Sequence, residues 1–398
     1  MIVLLSGAKK NIGDFIITDR VRTLLESVLG DEVTWMPNWE PLDGREEEIA
    51  SARAVVVAGG PGYRPGMYGS VYPLFSDPET LPRLRVQVRF LGLGWKGEPG
   101  DHFDLVHYRF TPRTMGLVHS LGERARYSAR DKLSLEVLKR NEIDGVMTGC
   151  PVWYHMDSLG KPLRVPAGVR RLVFTPPEQG VFDEQSREIL RGLRVMLPDA
   201  EIVVAFHRGI EADAYTRPPV AEVLREYASF ARGLGCRVED VSSDLARIAF
   251  YGDCDMHVGY RLHGHLCFMS QRRPSVLLEE DGRGRGATEA LGAPGVRAWE
   301  LTWSSRLARA LSSGKAARRL ARRFPVKAAR GAAVAETLAA VRDEMAPAGL
   351  APMACGGGCG AGTLGALPLT LLGICGLKWR VARLRGVPRR ARAGQGPA

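Results

Sequence analysis

The chain has 398 residues, 45% hydrophobic and 25% charged, which suits two packed cores and excludes a disordered or fibrous protein. Its formal net charge of +11 is confined to the C-terminal part: residues 301–335 and 346–398 hold nine and seven Lys/Arg and no acid, leaving about −5 on the rest. That distribution argues against a nucleic-acid-binding body and suits a basic tail beside anionic lipid.

The N-terminal MIVLLSGAKK has too short an apolar run for a secretory signal and is predicted to be a first strand, Ile2–Leu5. Seven cysteines, at 150, 236, 254, 267, 355, 359 and 375, match neither a disulfide framework nor a paired CxxC zinc site, so a reducing cytoplasm is expected. LLSGAKKNIGDFIITD then reads as strand, turn and a helix over 13–29. It fits neither G-x-G-x-x-G nor a P-loop, but Asn11 is placed to cap the helix and the amides around Gly13 to meet a polar ligand. Strand Ala54–Val57 runs into Gly59 and Gly60, which permit either close backbone approach to a ligand or simply a tight turn. Strand Val86–Leu91, a helix over 113–121, strand Arg124–Ser128 and a helix over 131–140 complete the first half. His102, His107 and His119 lack the spacing of metal ligands, Cys150 lacks an activating partner, and no metal is expected.

Proline and glycine cluster in GKPLRVPAG, residues 160–168, and divide the chain into 1–165, 166–345 and a tail, 346–398. The second part alternates again: strand 171–174, helix 184–196, strand 201–206, helix 217–234, strand 237–241, helix 243–250, strand 254–258, helix 261–271, and strands 274–278 and 296–299. The expected fold is therefore α/β, with two doubly wound, Rossmann-like domains facing across a cleft and ligands at the carboxyl ends of the strands. A basic, alanine-rich helical segment follows from about 301 to 345, broken at Pro325. The tail carries the low-complexity ACGGGCGAG and is expected to be disordered. Its uncharged run Ala361–Leu377 contains Pro368 and is short for a span, but beside KWRVARLRGVPRRAR it suits a peripheral membrane contact.

In HVGYRLHGHLCF an apolar strand meets an apolar helix, placing Arg261 and His263 in the first helical turn, where free amides favour an anion. Arginine offers a planar fork for carboxylate or phosphate and histidine a proton near neutral pH. The alternative is a histidine satisfied inside the core and Arg261 paired with Asp253 or Asp255. SVLLEEDGRGRG places Glu279, Glu280, Asp281, Arg283 and Arg285 beside the neighbouring strand's end, either on the rim of the same cleft or in a solvated loop.

NIGD, the GG after a strand, SARDKLSLEVL, TGCPV and YRLHGHLCFMSQRRPSVLLEEDGRGRGATEALG, in that order, resemble the polysaccharide pyruvyl transferase family over about residues 1–292. The resemblance implies a GT-B-like pair of domains and transfer of pyruvate from phosphoenolpyruvate, as co-substrate, to a sugar of a surface or extracellular polysaccharide precursor, free or lipid-linked. No other cofactor is implied, and the expected place is the cytoplasm, at the inner face of the membrane. Read onto this chain, His263 is the acid and Arg261 its catalytic partner. Arg208, His207, Arg285, Arg283 and Asp281 serve the donor, and Asn11, Gly13, Asp14, Gly59 and Gly60 the acceptor. Many members carry an arginine just after the first strand of the second domain; this chain reads VFTPPEQG there, with Arg208 of AFHRG one strand later. Two rival expectations remain open: a GT-B glycosyltransferase with a nucleotide-sugar donor, and a non-catalytic saccharide-binding scaffold.

Overall fold

Apolar runs such as AVVVA leave no side chain in need of water and become strands covered on both faces. The computed structural model of the protein describes residues 1–97, 105, 108–164, 166–301 and 326–345. Its first sheet contains β1 (Ile2–Ser6), β2 (Val33–Pro37), β3 (Ala54–Ala58), β4 (Val88–Leu93), β5 (Ala125–Ala129) and β6 (Gly145–Met147), all parallel, in the order β2-β1-β3-β4-β5-β6. The second contains β7 (Arg171–Thr175), β8 (Glu201–Phe206), β9 (Arg237–Asp240), β10 (Met256–Gly259), β11 (Ser275–Glu279) and β12 (Gly295–Arg297), also parallel, in the order β12-β11-β10-β7-β8-β9. Each order reverses once, between β1 and β3 and between β7 and β10. Helix termini and loops part at such a reversal and leave a crevice beyond the strand ends.

The two sheets are joined through packed apolar surface. Helix Ile12–Leu29 buries Ile12, Ile16, Ile17, Val21, Leu24 and Leu25, each contributing about 1.5–3 kcal/mol on burial. It packs against helix Leu262–Ser270 of the other domain, so that Ile12, Ile16, Leu262, Leu266 and Phe268 share one core cluster. Polar bonds add direction: the Ile12 amide donates to the His207 carbonyl at 2.9 Å, and Lys10 Nζ reaches Asp213 at 2.7 Å and Thr216 Oγ1 at 2.6 Å.

Two expected elements differ. Residues 282–291 form a helix, Gly282–Leu291, with Asp281 capping it by accepting from the Arg283 amide at 2.9 Å; the glycine-rich stretch after β11 is therefore no solvated loop. The helical segment expected from about 301 to 345, broken at Pro325, begins and resumes differently: β13 (Trp299–Leu301) pairs antiparallel with β14 (Val326–Ala328), and a helix starts only at Arg330. The rest of that segment and the tail 346–398, with its expected membrane contact, lie outside the described residues. Among the described residues no helix is long and apolar enough to cross a membrane.

Candidate active site

The reversal between β7 and β10 is built on a glycine. Gly259 ends β10 at φ 148°, and a Cβ there would stand 2.4 Å from the Thr175 carbonyl, so the chain can turn toward Arg261 only without a side chain. Arg261 takes the N-cap position of helix Leu262–Ser270, with its amide donating to Thr175 Oγ1 at 3.2 Å. Behind it runs a buried polar chain: Thr175 Oγ1 to His257 Nε2 at 2.9 Å, His257 Nδ1 to Ser275 Oγ at 2.8 Å, and Ser275 Oγ to His265 Nδ1 at 2.8 Å. Burial holds His257 well below the usual histidine range and His265 down to about 3, so both are neutral framework. His265 is thus a core histidine bonded through Nδ1 alone, its Nε2 buried without a partner, and it supports the backbone that aims Arg261.

The Arg261 guanidinium does not pair with Asp253 or Asp255. Asp255 instead accepts from the Arg170 and Arg171 amides at 2.8 and 2.9 Å, while Arg261 reaches Glu178 at 3.3 Å and donates to Asn11 Oδ1 at 3.2 Å across the cleft. Glu178 is the centre of the site. It also takes Arg208 at 2.8 Å and Arg283 at 3.4 Å, and Arg283 is held in turn by Asp281 at 2.8 Å. Burial would raise the Glu178 pKa, but Arg261, Arg283 and Arg208 outweigh it and keep the carboxyl ionised far below the usual range. Glu280, buried beneath, accepts from the Glu178 and Gln179 amides at 2.7 and 3.1 Å, and burial pushes its own pKa up to about 7.

His263 lies one helical residue on from this cluster, half-buried, with Nε2 sealed from water and lacking a partner. Burial, followed by the charges of Arg130, Arg283 and Arg261, lowers its pKa to about 3, so the free protein carries a neutral imidazole. Its neighbour across the cleft is the start of helix Ile12–Leu29. Asn11 occupies that helix's N-cap position without a side-chain capping bond; its amide nitrogen donates to Asp14 Oδ2 at 3.1 Å and its oxygen accepts from Arg261. Burial raises the Asp14 carboxyl to about 6 against the opposing pull of Asn11, Arg208, Arg261 and Arg283.

Asp14 faces the second crevice, at the reversal between β1 and β3. A cavity of about 300 Å³ opens there, lined by Gly7, Asp14, Asn38, Gly59, Gly60 and Tyr72 among others. A second cavity of about 250 Å³ lies on the β8 side of the arginine cluster, and a pocket of about 30 Å³ lies at His263. Among the described residues no group of three His, Cys, Asp or Glu is placed to hold a metal ion.

The structure thus brings together Asn11, Gly13, Asp14, Arg208, Arg261, His263, Asp281 and Arg283, with Gly59 and Gly60 lining the adjoining cavity. His207 borders the cluster, but its Nε2 is bonded to Tyr251 Oη at 2.8 Å and burial keeps it neutral. Arg285 is not gathered in: it turns along its helix to Glu289 at 2.7 Å and lines none of these three cavities. Sequence reasoning placed Glu280 on the cleft's rim but missed Glu178 and Arg130. The last directly follows β5, is 3% exposed, pairs with Asp131 at 3.2 Å and donates to the Trp95 carbonyl at 2.9 Å, leaving Nη1 buried without a partner. SARDKLS and TPPEQG were the signals available, yet neither says which strand end a side chain will meet.

Several solved structures are similar to the chain at low sequence identity. A Methanocaldococcus jannaschii UDP-GlcNAc 2-epimerase is 13% identical, with 94% of this chain and 98% of that one covered and a TM-score of 0.45. A Neisseria meningitidis UDP-GlcNAc 2-epimerase is 12% identical, with 74% and 87% covered and a TM-score of 0.42. An E. coli heptosyltransferase is 13% identical, with 75% and 93% covered and a TM-score of 0.37. Scores this low say nothing of what the chain does. No functionally curated protein matches the sequence. The family model for polysaccharide pyruvyl transferase matches residues 11–282, a span that opens at Asn11, crosses both sheets and closes just after Asp281. With two thirds of its length matched, the chain belongs to the polysaccharide pyruvyl transferase family.

Proposed function

We propose that the protein transfers a pyruvyl group from phosphoenolpyruvate to a hydroxyl of a saccharide in polysaccharide assembly. The observation that carries this reading is the set of Arg208, Arg261 and Arg283 converging at the β7/β10 reversal beside His263, opposite an Asp14 poised near neutral pH. Arginine forks bind the carboxylate and phosphate of the donor. Their negative charge, brought against His263, favours its protonated form, and that proton goes to the methylene carbon of the enolpyruvate. The neighbouring carbon gains oxocarbenium character and is attacked by a sugar oxygen, whose proton passes to Asp14. A second hydroxyl of the same sugar then displaces phosphate to close a ketal, and its proton leaves with the phosphate to solvent. The acceptor occupies the cavity of Asp14, Gly59 and Gly60, which fixes the hydroxyl in reach.

The first test is the melting temperature with phosphoenolpyruvate and, in parallel, with UDP-, GDP- and CMP-sugars. Stabilisation by phosphoenolpyruvate alone supports the reading; stabilisation by one nucleotide sugar and not by phosphoenolpyruvate replaces the donor. Once an acceptor saccharide is found, kcat at saturating phosphoenolpyruvate, where the bound donor favours protonated His263, is expected to rise with pH through about 6, because Asp14 takes a proton only when ionised. Asp14→Asn removes that acidic limb and lowers the rate by about 10²–10⁴-fold; an unchanged pH profile would exclude Asp14 as the base.

A further inference from the structure

We propose that Glu178 is a stand-in ligand: its carboxylate holds the arginine cluster of the empty protein and vacates Arg261 and Arg283 when an anionic co-substrate enters. The inference rests on the reading that such a co-substrate reacts beside His263. Three observations carry it.

The first is occupancy. One Glu178 oxygen takes Arg208 at 2.8 Å and the other is shared by Arg261 and Arg283 at 3.3 and 3.4 Å, so the groups that would grip a donor already hold an anion. The second is charge. Three guanidinium groups face Glu178 and Asp281, which leaves about one uncompensated positive charge. A molecule bearing both a carboxylate and a phosphate would meet Glu178 at contact distance, where like charges repel strongly in a site this sheltered.

The third is space. Glu178, with Arg261 and His207, lines both the cavity of about 250 Å³ and the pocket of about 30 Å³ at His263, and so stands as a partition between them. The smaller pocket accommodates roughly one water molecule, whereas a three-carbon phosphate ester is several times larger. Turning the Glu178 side chain toward the larger cavity merges the two. The main chain is unsuited to that movement: Pro176 and Pro177 stiffen it, and Glu280 ties the amides of Glu178 and Gln179. The side chain is suited to it. Arg208, half exposed, can follow Glu178 outward, while Arg261 and Arg283, 10% and 20% exposed, stay to receive the incoming anion.

The test is Glu178→Gln, which keeps the shape and removes the charge, with Glu178→Asp as the charged control. Affinities for inorganic phosphate and for phosphoenolpyruvate are measured by titration calorimetry at fixed ionic strength. Glu178→Gln should bind both at least 10-fold more tightly than the wild type, and Glu178→Asp no more tightly. Equal or weaker binding by Glu178→Gln overturns the proposal, because Glu178 would then position the arginines in the loaded state. Uncovering the cluster lowers the melting temperature in phosphate-free buffer; phosphate should restore it more steeply in the variant than in the wild type. A variant that stays unfolded in phosphate also overturns the proposal, since no anion then replaces the carboxylate. Tighter phosphate binding without any turnover of phosphoenolpyruvate retains the role of Glu178 and removes the donor. Wild-type turnover with phosphate affinity unimproved in the variant does the reverse.

Discussion

Arg261→Ala is expected to lower phosphoenolpyruvate-dependent transfer by about 10²–10³-fold, the usual cost of removing a preorganised donor from developing charge, while the melting temperature of the unliganded protein moves little. Both halves of the expectation follow from the contacts. Arg261 is the cluster's arginine that spans the cleft, from Glu178 at 3.3 Å to Asn11 at 3.2 Å, so no neighbour can take over its place beside His263. Glu178 nevertheless keeps Arg208 and Arg283, and the amide of residue 261 still reaches Thr175 Oγ1, so the carboxylate is not stranded and the bend is retained. Stabilisation by phosphoenolpyruvate should disappear in parallel. A variant that keeps the wild-type rate and the ligand-induced shift would remove Arg261 from the site.

Gly13→Ala is the second large effect, and it arises from space. A Cβ on Gly13 would stand 2.2 Å from His263 Nδ1, 2.8 Å from its Cγ and 3.0 Å from its Cβ. In an exposed helix the same change would gain up to about 1 kcal/mol; here the clash wins, because the main chain at Gly13 cannot give way. The Ile12 amide is tied to the His207 carbonyl and the helix beneath is locked into the shared apolar cluster, so the imidazole must move. Displacement of a reacting group by about 1 Å costs on the order of 10²-fold in rate, and the overpacking about 1–3 kcal/mol in stability. A double-mutant cycle checks the cause: Gly13→Ala combined with His263→Ala should melt above Gly13→Ala alone, because the methyl then fills vacated space. Additive losses would place the clash elsewhere.

Both variants depend on contacts between residues about 250 positions apart in the sequence, which marks where sequence reading stops. Strands β1, β3, β4, β7, β8, β10 and β11 were legible because a strand covered on both faces needs a mostly apolar run, and little else so short produces one. β2 and β6 escaped: VTWMP exposes Trp35 at 36% and ends in proline, and the three-residue GVM exposes Val146 at 40%. Helix Gly282–Leu291 escaped because the glycines of GRGRG argue against a helix locally. At Gly286 the reason is tertiary, since a Cβ there would meet the Asp131 carboxyl at 2.6 Å.

Local chemistry likewise determined the arginine–histidine junction at 261–263, the family it belongs to and the two-domain α/β plan, because each depends on residues close in the chain or on motif order. Pairing across the cleft was decided only by tertiary structure. Glu178 read as an unremarkable acid in a proline turn until the β7/β10 reversal placed it among three arginines, and Arg285 read as part of the cluster until its helix turned it toward Glu289. Asp14 acquired a pKa near 6 and His263 one near 3 from burial, which depends on which surfaces close over a side chain. Burial and Coulomb interactions act over a few ångströms of space whatever the separation along the chain.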